Sequence, residues 1–392
     1  MSGWTTKKLG EVCEGSIRRL KDIDDERFLY IDISSIDRER KAIVGATEYE
    51  RIKAPGRAQQ VVDVGDVLVS TVRPNLNAVA IVEGKSNIRR IASTGFCVLR
   101  ASECILPRYI YYFTQVGEFI APLVAVSEKA AYPSVTDKVV RGVSIPIPPL
   151  AEQKRIVAKI DAAFEKIDRL KANAEKNLAN AKELFQSALD EAMRPKKGWV
   201  EKRLGEIGTT LTGMTPSTKD KSNFGNYMPF VKPADIASFT PVNYREDGLS
   251  ERGVAASRLV KRDSVLMVCI GASIGKTGYA DRDCTCNQQI NVLMHKTGFD
   301  GRYLYYILSS EKFKKRLISE SGQTTLPIIA KSKWENLSVC ITLSLDEQKQ
   351  IAKRLDLLSQ KLEVLQQNYA RQIADCAEMR QAILREAFEG RL

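Results

Sequence analysis

The sequence has little of what most catalytic and membrane-spanning proteins use. Its 392 residues include one histidine, His295, which excludes most histidine-dependent catalysis and most zinc sites. The longest stretches without a charged residue have twelve residues, for example Ser264 to Gly275, whereas a membrane-spanning helix needs about 20 apolar residues. No apolar run follows Lys7 and Lys8, so no secretory leader is indicated. We therefore expect a cytoplasmic protein that does not enter a membrane.

Cysteine is present without the spacing of a disulfide framework or a metal site. The eight cysteines are scattered and lie mostly among apolar residues, as reduced core thiols do. Cys284-Thr285-Cys286 has neither a second cysteine pair nor a histidine array near it. This pair is better explained as alternate residues of a strand than as metal ligands.

The charge is unbalanced toward the positive. The chain has 60 Lys+Arg against 48 Asp+Glu, which gives a formal net charge of +12. Such a balance favours a polyanionic partner, because each phosphate that a cation neutralises releases a condensed counterion. Charge alone does not identify that partner, since many basic proteins bind no nucleic acid specifically.

The chain is a tandem duplication of about 195 residues. Trp4 to Glu11 recurs as Trp199 to Glu206, and Glu152-Gln153-Lys154 recurs as Glu347-Gln348-Lys349, both at an offset of 195. The Tyr-rich segment at Tyr109 recurs at Tyr303, at an offset of 194. These matches are collinear, so chance similarity of short motifs is a poor explanation.

Each copy is predicted to end in a long helix with a heptad seam. Prolines precede the first helix, and Pro195 and Gly390 mark the two ends. The second helix begins near Asp346, which Ser344 or Asp346 can cap. Neither helix can bury its seam alone, so pairing with each other is favoured over packing of each helix on its own domain. The predicted pairing residues are Ile156, Ile160, Ile167, Leu170 and Leu184 in the first helix, and Ile351, Leu355, Leu358, Leu362, Leu365 and Ile383 in the second.

The remaining sequence predicts mixed domains. Short β-type runs are broken by Gly, Asn and Pro turns, and the segments at Tyr109 and Tyr303 have helical periodicity, with tyrosines that we expect to face the core rather than stack on bases. We therefore predict an α+β protein in which two mixed α/β domains are joined by two long antiparallel coiled-coil helices, as a tandem repeat with pseudo-twofold symmetry. The predicted strands are Phe28–Ile33, Asp66–Val72, Val79–Val82, Cys97–Leu99, Val265–Ile270 and Ile290–Met294. The predicted boundaries are 1–149 and 196–343 for the domains, and 150–195 and 344–392 for the helices.

One segment imitates a phosphate-binding loop. Gly271-Ala272-Ser273-Ile274-Gly275-Lys276-Thr277 follows an apolar run, but it has three residues between the glycines where a phosphate-cradling loop needs four. The first copy has Ser70 to Asn77 at the equivalent place. Polar loops of different sequence at one place in two related domains are typical of a surface that reads a target.

These motifs together resemble the specificity subunit of type I restriction-modification systems. The resemblance rests on Trp-x-x-Lys-Lys-Leu-Gly-Glu at Trp4, on Ile145-Pro-Ile-Pro-Pro-Leu-Ala-Glu-Gln-Lys-Arg-Ile-Val before a long helix, and on the recurrence of both. The second copy departs from the pattern, because Thr342-Leu343-Ser344-Leu345 replaces the prolines. The resemblance covers the whole chain.

The resemblance implies that DNA recognition and catalysis lie on different subunits. Residues 1–149 and 196–343 would be target recognition domains that each read one half of a split sequence in double-stranded DNA, and the helices would set the gap between the halves. The partners would be modification subunits, two of them, that methylate adenine with S-adenosylmethionine, and restriction subunits that translocate DNA with ATP and Mg. No cofactor is expected in this chain, which would be a non-catalytic subunit.

Side chains that read base edges are Arg, Lys, Asn and Gln, with Ser and Thr on either bases or phosphates. On this basis we expect DNA contacts from polar side chains of predicted loops. In the first domain they are Arg73, Asn75, Asn77, Lys129 and Tyr132, and in the second they are Ser273, Lys276, Thr277, Gln323, Thr325 and Lys331.

Two other functions stay open at this point. The chain could be the recognition subunit of a fused restriction-methylation enzyme of type IIB-like organisation. It could also be a non-catalytic coiled-coil adaptor that binds only proteins, in which case it would show no salt-dependent affinity for DNA.

Overall fold

The computed structural model describes residues 4–129, 132–322 and 327–392. The chain divides into two compact units, Met1–Asn173 with Gln372–Leu392 and Ala174–Arg371. The division falls inside the two long helices rather than at 149 and 343, where the sequence changes from domain to helix. Each unit therefore contains one mixed domain and parts of both long helices.

The first unit builds its mixed domain from short strands and helices. Its strands are β1 (Thr5–Lys8), β2 (Arg27–Ile31), β3 (Ile36–Asp37), β4 (Ala42–Ile43), β5 (Thr47–Glu50), β6 (Ala58–Val62), β7 (Val67–Ser70), β8 (Val79–Ile81), β9 (Arg89–Ser93), β10 (Phe96–Leu99) and β11 (Ser144–Ile147). Its helices are α1 (Leu9–Val12), α2 (Pro107–Phe113), α3 (Gly117–Ser127) and α4 (Asp137–Arg141), and the long helix α5 covers Leu150–Ala192. Its 3-10 turns are Leu20–Asp22, Ile33–Ser35, Arg51–Lys53 and Pro74–Leu76.

The second unit has the same kinds of element. Its strands are β12 (Val200–Arg203), β13 (Gly208–Thr212), β14 (Phe224–Val231), β15 (Gly248–Leu249), β16 (Leu259–Val260), β17 (Ser264–Val268), β18 (Thr277–Ala280), β19 (Cys284–Cys286), β20 (Ile290–His295) and β21 (Ser338–Ile341). Its helices are α6 (Leu204–Ile207), α7 (Glu251–Ala255), α8 (Gly301–Ser309), α9 (Glu311–Glu320) and α10 (Lys331–Glu335), and the long helix α11 covers Leu345–Phe388. Its 3-10 turns are Lys221–Asn223 and Pro233–Asp235.

The sheets repeat from one unit to the other. The strand orders are β10-β7-β8, β5-β2-β9-β6, β1-β11 and β3-β4 in the first unit, and β13-β20-β17-β18, β15-β14-β19-β16 and β12-β21 in the second. Two of the four-stranded sheets have a parallel central pair of strands, β2 with β9 in the first unit and β14 with β19 in the second. Each predicted apolar run contains a strand of the structure, and Cys284 and Cys286 lie buried on β19.

The repeated Leu-Gly-Glu motif has a structural explanation. The Glu11 carboxylate accepts a 2.6 Å hydrogen bond from the backbone N–H of Lys8, and Glu206 accepts one of 2.7 Å from Arg203. In each case the glutamate caps the start of a one-turn helix by this hydrogen bond to the backbone. The first residue of that helix, Leu9 or Leu204, is buried. The motif therefore fixes the point where the first strand enters the domain.

The long helices begin and end where the sequence predicts. Helix α5 begins directly after Pro149, and α11 begins after Ser344, whose Oγ accepts the backbone N–H of Glu347 at 3.3 Å. Helix α11 ends at Phe388, before Gly390 with φ 72°. In the part of the chain that the structure describes, neither helix has a stretch long and apolar enough to cross a membrane.

The two long helices pair in antiparallel fashion. In the first unit Arg155 donates to the carbonyl of Leu392 at 2.9 Å, and further along α5 Asp168 binds Arg380. Later residues of α5 therefore meet earlier residues of α11. The predicted pairing of the helices is confirmed. The alternative prediction, that each helix packs on its own domain, is correct in part, because Ile156 and Ile160 also belong to the core of the mixed domain.

The predicted seam is wrong in detail. Ile156, Ile160, Ile167, Leu355 and Leu362 are buried and Ile351, Leu358 and Ile383 are half-buried, but Leu170 is 55% exposed, Leu184 73% and Leu365 39%. Besides the predicted Ile156, Ile160 and Ile167, the buried stripe of α5 contains Phe164, Ala174, Phe185 and Leu189. A straight helix has 3.6 residues per turn, so its inner face moves by about 20° per heptad against a strict 3.5-residue repeat. Over several heptads this drift moves the stripe by one residue and places Phe185, not Leu184, inside.

The repeated Glu-Gln-Lys motif places a buried glutamine at the start of each long helix. Gln153 is fully buried, accepts the N–H of Leu106 at 2.9 Å, and donates to the carbonyls of Pro148 at 2.9 Å and Cys104 at 3.1 Å. Gln348 makes the equivalent bonds to Asp300, Thr342 and Gly298. The glutamine thus attaches each helix to its domain by using backbone groups that lack other partners.

We expect Gln153→Leu to destabilise the first unit by about 2–4 kcal/mol, because a leucine leaves these buried backbone groups without hydrogen bonds. Scanning calorimetry of the purified chain would measure the loss as a lowered unfolding temperature. Lys154→Leu at the exposed neighbouring position is the control and should change stability by less than about 0.5 kcal/mol. Equal stabilities of the two variants would contradict this role of Gln153.

Candidate nucleic-acid interface

Two loops of the first domain come together through backbone contacts. We call residues 71–77 and 132–135 the first loop pair. The N–H of Arg73 donates to the carbonyl of Pro133 at 2.7 Å, and the N–H of Val135 donates to that of Thr71 at 2.9 Å. Arg73, Asn75 and Tyr132, which the sequence nominates as DNA contacts, are exposed on this loop pair, and Lys129 is exposed at the end of α3.

The first loop pair contains an unusual backbone conformation. Arg73 and Asn77 have φ values of 50° and 42°, and the 3-10 turn Pro74–Leu76 lies between them. The left-handed backbone conformation costs free energy in residues other than glycine, and it occurs where the surrounding structure imposes it. Here Pro74 fixes the turn, and Arg73 is directed outward at its edge.

Asn77 stabilises the first loop pair through both ends of its side-chain amide, and its contact with DNA stays a prediction. Its Nδ2 donates to the carbonyl of Thr114 at 2.8 Å, and its Oδ1 accepts from Nζ of Lys41 at 2.9 Å. These bonds use one N–H and one lone pair of the amide and hold the side chain in place. Burial lowers the pKa of Lys41 to about 8. No local sequence pattern indicates this contact, because the partners are 36 residues apart.

The second domain brings equivalent loops together. We call residues 269–276 and 327–329 the second loop pair. The N–H of Gly271 donates to the carbonyl of Pro327 at 2.9 Å, and the N–H of Ile329 donates to that of Cys269 at 3.0 Å. Ser273 and Lys276 are half-buried on this pair. Gln323 and Thr325, which the sequence also nominates, lie outside the described residues.

Two other nominated residues have structural partners. Thr277 is buried as the first residue of β18, where its Oγ1 donates to the carbonyls of Gly275 at 3.2 Å and Leu308 at 3.4 Å, so the prediction of a DNA contact is wrong. The sheet pairs this residue with Met267 and turns its side chain into the domain. Lys331 binds Glu335, and this hydrogen bond together with one from Thr210 lowers the pKa of Glu335.

The segment Gly271–Thr277 is not a phosphate-binding loop. It connects the antiparallel strands β17 and β18, so a strand follows it where a phosphate loop requires the N-terminus of a helix. Gly271 and Gly275 have φ values of 93° and 85°, which the tight connection requires. The sequence-based rejection of nucleotide binding at this loop agrees with its fold.

The repeated tyrosines are core residues, as predicted. Tyr109 and Tyr303 are fully buried. In the first unit Tyr112 and Arg108 both bind Asp161 of α5, and in the second Tyr306 and Arg302 bind Asp356 of α11 at 2.6 Å and 2.5 Å. Burial raises the pKa values of Tyr112 and Tyr306, so both stay protonated and donate. These residues hold each domain on its long helix and are not available for base stacking.

Comparison with known proteins assigns a family to this arrangement. The sequence matches the type I restriction modification DNA specificity domain over residues 1–179 and again over 196–371. It is 21% identical to the type I restriction enzyme HindI specificity subunit of Haemophilus influenzae, over 83% of this chain and 87% of that protein. It is 24% identical to the StySPI specificity subunit of Salmonella potsdam, over 79% and 72%.

Solved structures agree with this match. A chain from a structure on complex assembly and conformational transition of the type I R-M system superposes with a TM-score of 0.83 at 29% identity, covering 100% of this chain and 99% of that one. The HsdS subunit from Thermoanaerobacter tengcongensis superposes with a TM-score of 0.58 at 28% identity, covering 100% and 98%. The chain belongs to the type I restriction-modification DNA specificity family and contains two of its DNA specificity domains in tandem.

Proposed function

We propose that each domain contacts one half of a bipartite DNA target through its loop pair. The observation that carries this proposal is the equivalence of the loop pairs, which share their backbone contacts but differ in side chains. Arg73 and Asn75 would read bases in one half, and Ser273 and Lys276 in the other. Tyr132 and Lys129 would extend the first surface. In this proposal residues 1–149 and 196–343 are the target recognition domains.

The long helices, within residues 150–195 and 344–392, would separate the half-sites by a fixed gap. Their antiparallel pairing and their cores of large apolar residues such as Phe164 and Phe185 support a rigid spacer. A rigid spacer transmits its length to the DNA, so the gap would depend on helix length and not on the loop pairs.

The chain would bind two copies of a modification subunit. In each unit both long helices expose an apolar residue at equivalent positions, Leu170 with Met379 in the first and Leu184 with Leu365 in the second. An offset of 195 relates Leu170 to Leu365 and Leu184 to Met379. The residues that follow them are buried or half-buried, namely Lys171, Phe185, Gln366 and Arg380. Each apolar side chain therefore lies about 100° around its helix from the inner face, and in antiparallel helices this shift exposes both members on one side. Two equivalent apolar pairs fit two copies of one partner.

The chain itself would perform no chemistry. Its buried thiols are poor nucleophiles, because burial raises the pKa of Cys13 to about 11 and that of Cys269 to about 12. Adenine methylation with S-adenosylmethionine would take place on the modification subunits, and ATP- and Mg-dependent translocation on restriction subunits. This proposal makes the chain the part of the complex that selects the site.

Mapping of methylated adenines in cells with and without this chain tests the proposed function. We expect loss of the chain to remove one bipartite methylated motif, made of two half-sites and a constant gap. Reintroducing the chain should restore the same motif. Methylation that persists without the chain would contradict the proposal and favour an adaptor role.

A further inference from the structure

Helices α3 and α9 occupy equivalent places but differ in their exposed side chains. Phe119 and Leu123 of α3 match Phe313 and Leu317 of α9 at an offset of 194, and all four are buried. Helix α3 has Glu118 as its one charged residue. Helix α9 has four basic residues against two acidic ones, and the basic residues are Lys312, Lys314, Lys315 and Arg316.

Both helices lie beside the first loop of their loop pair. Helix α3 packs against the turn Pro74–Leu76. In the second domain a Cβ placed on Gly275 would lie 3.0 Å from Cγ of Lys314, so the lysine side chain packs directly on the loop. Lys276 follows Gly275 in sequence. The second loop pair thus has two lysines at its edge, Lys276 of the loop and Lys314 of α9. In the first domain the positions equivalent to Lys314 and Lys315 are Ile120 and Ala121 of α3.

The two flanks of α9 face different surroundings. Lys312 and Arg316 line a groove with Glu201 and Ser338, and Arg316 donates to the carbonyl of Ser338 at 3.0 Å. Lys314 lies on the flank of the loop pair, and Lys315 is directed away from the buried face.

Lys276, Lys314 and Lys315 carry charge that the carboxylates of the described residues neutralise weakly or do not contact. Lys314 is 3.6 Å from Glu311, but both side chains are more than 40% exposed, so the pair is weak. Within the described ranges, no carboxylate lies within 4.0 Å of Nζ of Lys276 or Lys315. Positive charge that is not neutralised within the protein remains available to phosphates.

We propose that Lys314 and Lys315 bind the DNA backbone next to the second half-site, and that the first domain has no equivalent contact on α3. The inference rests on the proposed function, because it requires that the loop pairs face DNA. Ammonium groups act as point charges toward phosphates and contribute affinity without selecting bases. Helix α9 would therefore add salt-dependent affinity at the second half-site that α3 does not add at the first.

Binding of the complete chain with its modification subunits to a fluorescent duplex tests the inference. The duplex carries the mapped target, an unrelated duplex of equal length serves as the second probe, and KCl varies from about 50 to 200 mM. Lys314→Gln with Lys315→Gln should weaken binding to both duplexes at least about tenfold and lower the slope of log affinity against log salt by nearly two. The control Lys312→Gln removes one positive charge from the other flank of α9 and should leave the slope unchanged.

The reverse change is tested in the first domain. Ala121→Lys places an ammonium group at the position equivalent to Lys315, and it should raise the slope by about one and strengthen binding to both duplexes. A slope lowered by about one in Lys312→Gln would overturn the inference in favour of a general charge effect. So would a loss confined to the target duplex, which would indicate base contacts. If the unaltered complex showed no salt-dependent binding at all, the proposed function itself would fail.

Discussion

Insertion of seven residues into both long helices, after Asn173 and after Arg371, is expected to lengthen the gap of the target by one to three base pairs and to leave both half-sites unchanged. Seven residues add about 10 Å to a helix, which corresponds to at most about three base-pair steps of 3.4 Å. They also return the inner stripe to within about 20° of its original direction, so the helices can still pair. Methylation mapping of cells that express the variant would give the new gap.

The length of the insertion provides its own control. Five residues rotate the downstream stripe by about 140°, which turns Phe185 and Leu189 away from their core. That variant should lose stability and methylation together. An unchanged gap in a folded and active seven-residue variant would contradict the spacer role of the helices.

Leu184→Glu with Leu365→Glu is expected to remove one of the two modification subunits that we propose for the complex. Both side chains are exposed in this chain, and a carboxylate at an apolar contact loses water without gaining a partner. The affinity of that site should fall at least about 100-fold, equivalent to about 3 kcal/mol. Native mass spectrometry of the purified complex would show the change in subunit ratio.

A matched control exists on the opposite face of α11. Leu357 and Val364 are 54% and 56% exposed, and the helical repeat places them on the far side from the inner stripe. Leu357→Glu with Val364→Glu should keep both modification subunits. Leu170→Glu with Met379→Glu should act as the first variant does, through the other site. Retention of two subunits by all of these variants would exclude the apolar pairs as the docking sites.

The general organisation could be predicted because it depends on repeated local patterns. The offset of 195, the prolines before α5 and the capping Ser344 are each visible in the sequence, and each corresponds to an element or a boundary. The strands were predictable for the same reason, since a short apolar run between turn residues has few alternatives.

The details that failed depend on contacts between distant segments. A heptad template placed Leu184 inside, whereas the structure buries Phe185, because the helix keeps its own period of 3.6 residues. Asn77 has the side chain of a base reader, but in the structure its amide forms hydrogen bonds with Lys41 and Thr114, which are distant in sequence. Thr277 looks like a loop residue and is the first residue of a buried strand.

Other useful residues were not identified from the sequence. Gln153 was part of the motif that indicates the family, but its role of binding three backbone groups requires the fold. Lys314 became a candidate only when the structure placed it on Gly275. A comparison of α3 with α9 within the repeat could have found the charge difference, though not its position beside the loop.

The central claim is that each loop pair selects one half of the target independently of the other. Methylation mapping of a chain with Ser273→Ala and Lys276→Ala tests it most directly, because the half-site of the first domain serves as the internal reference. The account predicts relaxed base preference in one half-site, about 1–3 kcal/mol of lost discrimination for each lost base contact, and an unchanged first half-site and gap. Equal relaxation of both half-sites, or a motif identical to that of the unaltered chain, would contradict it.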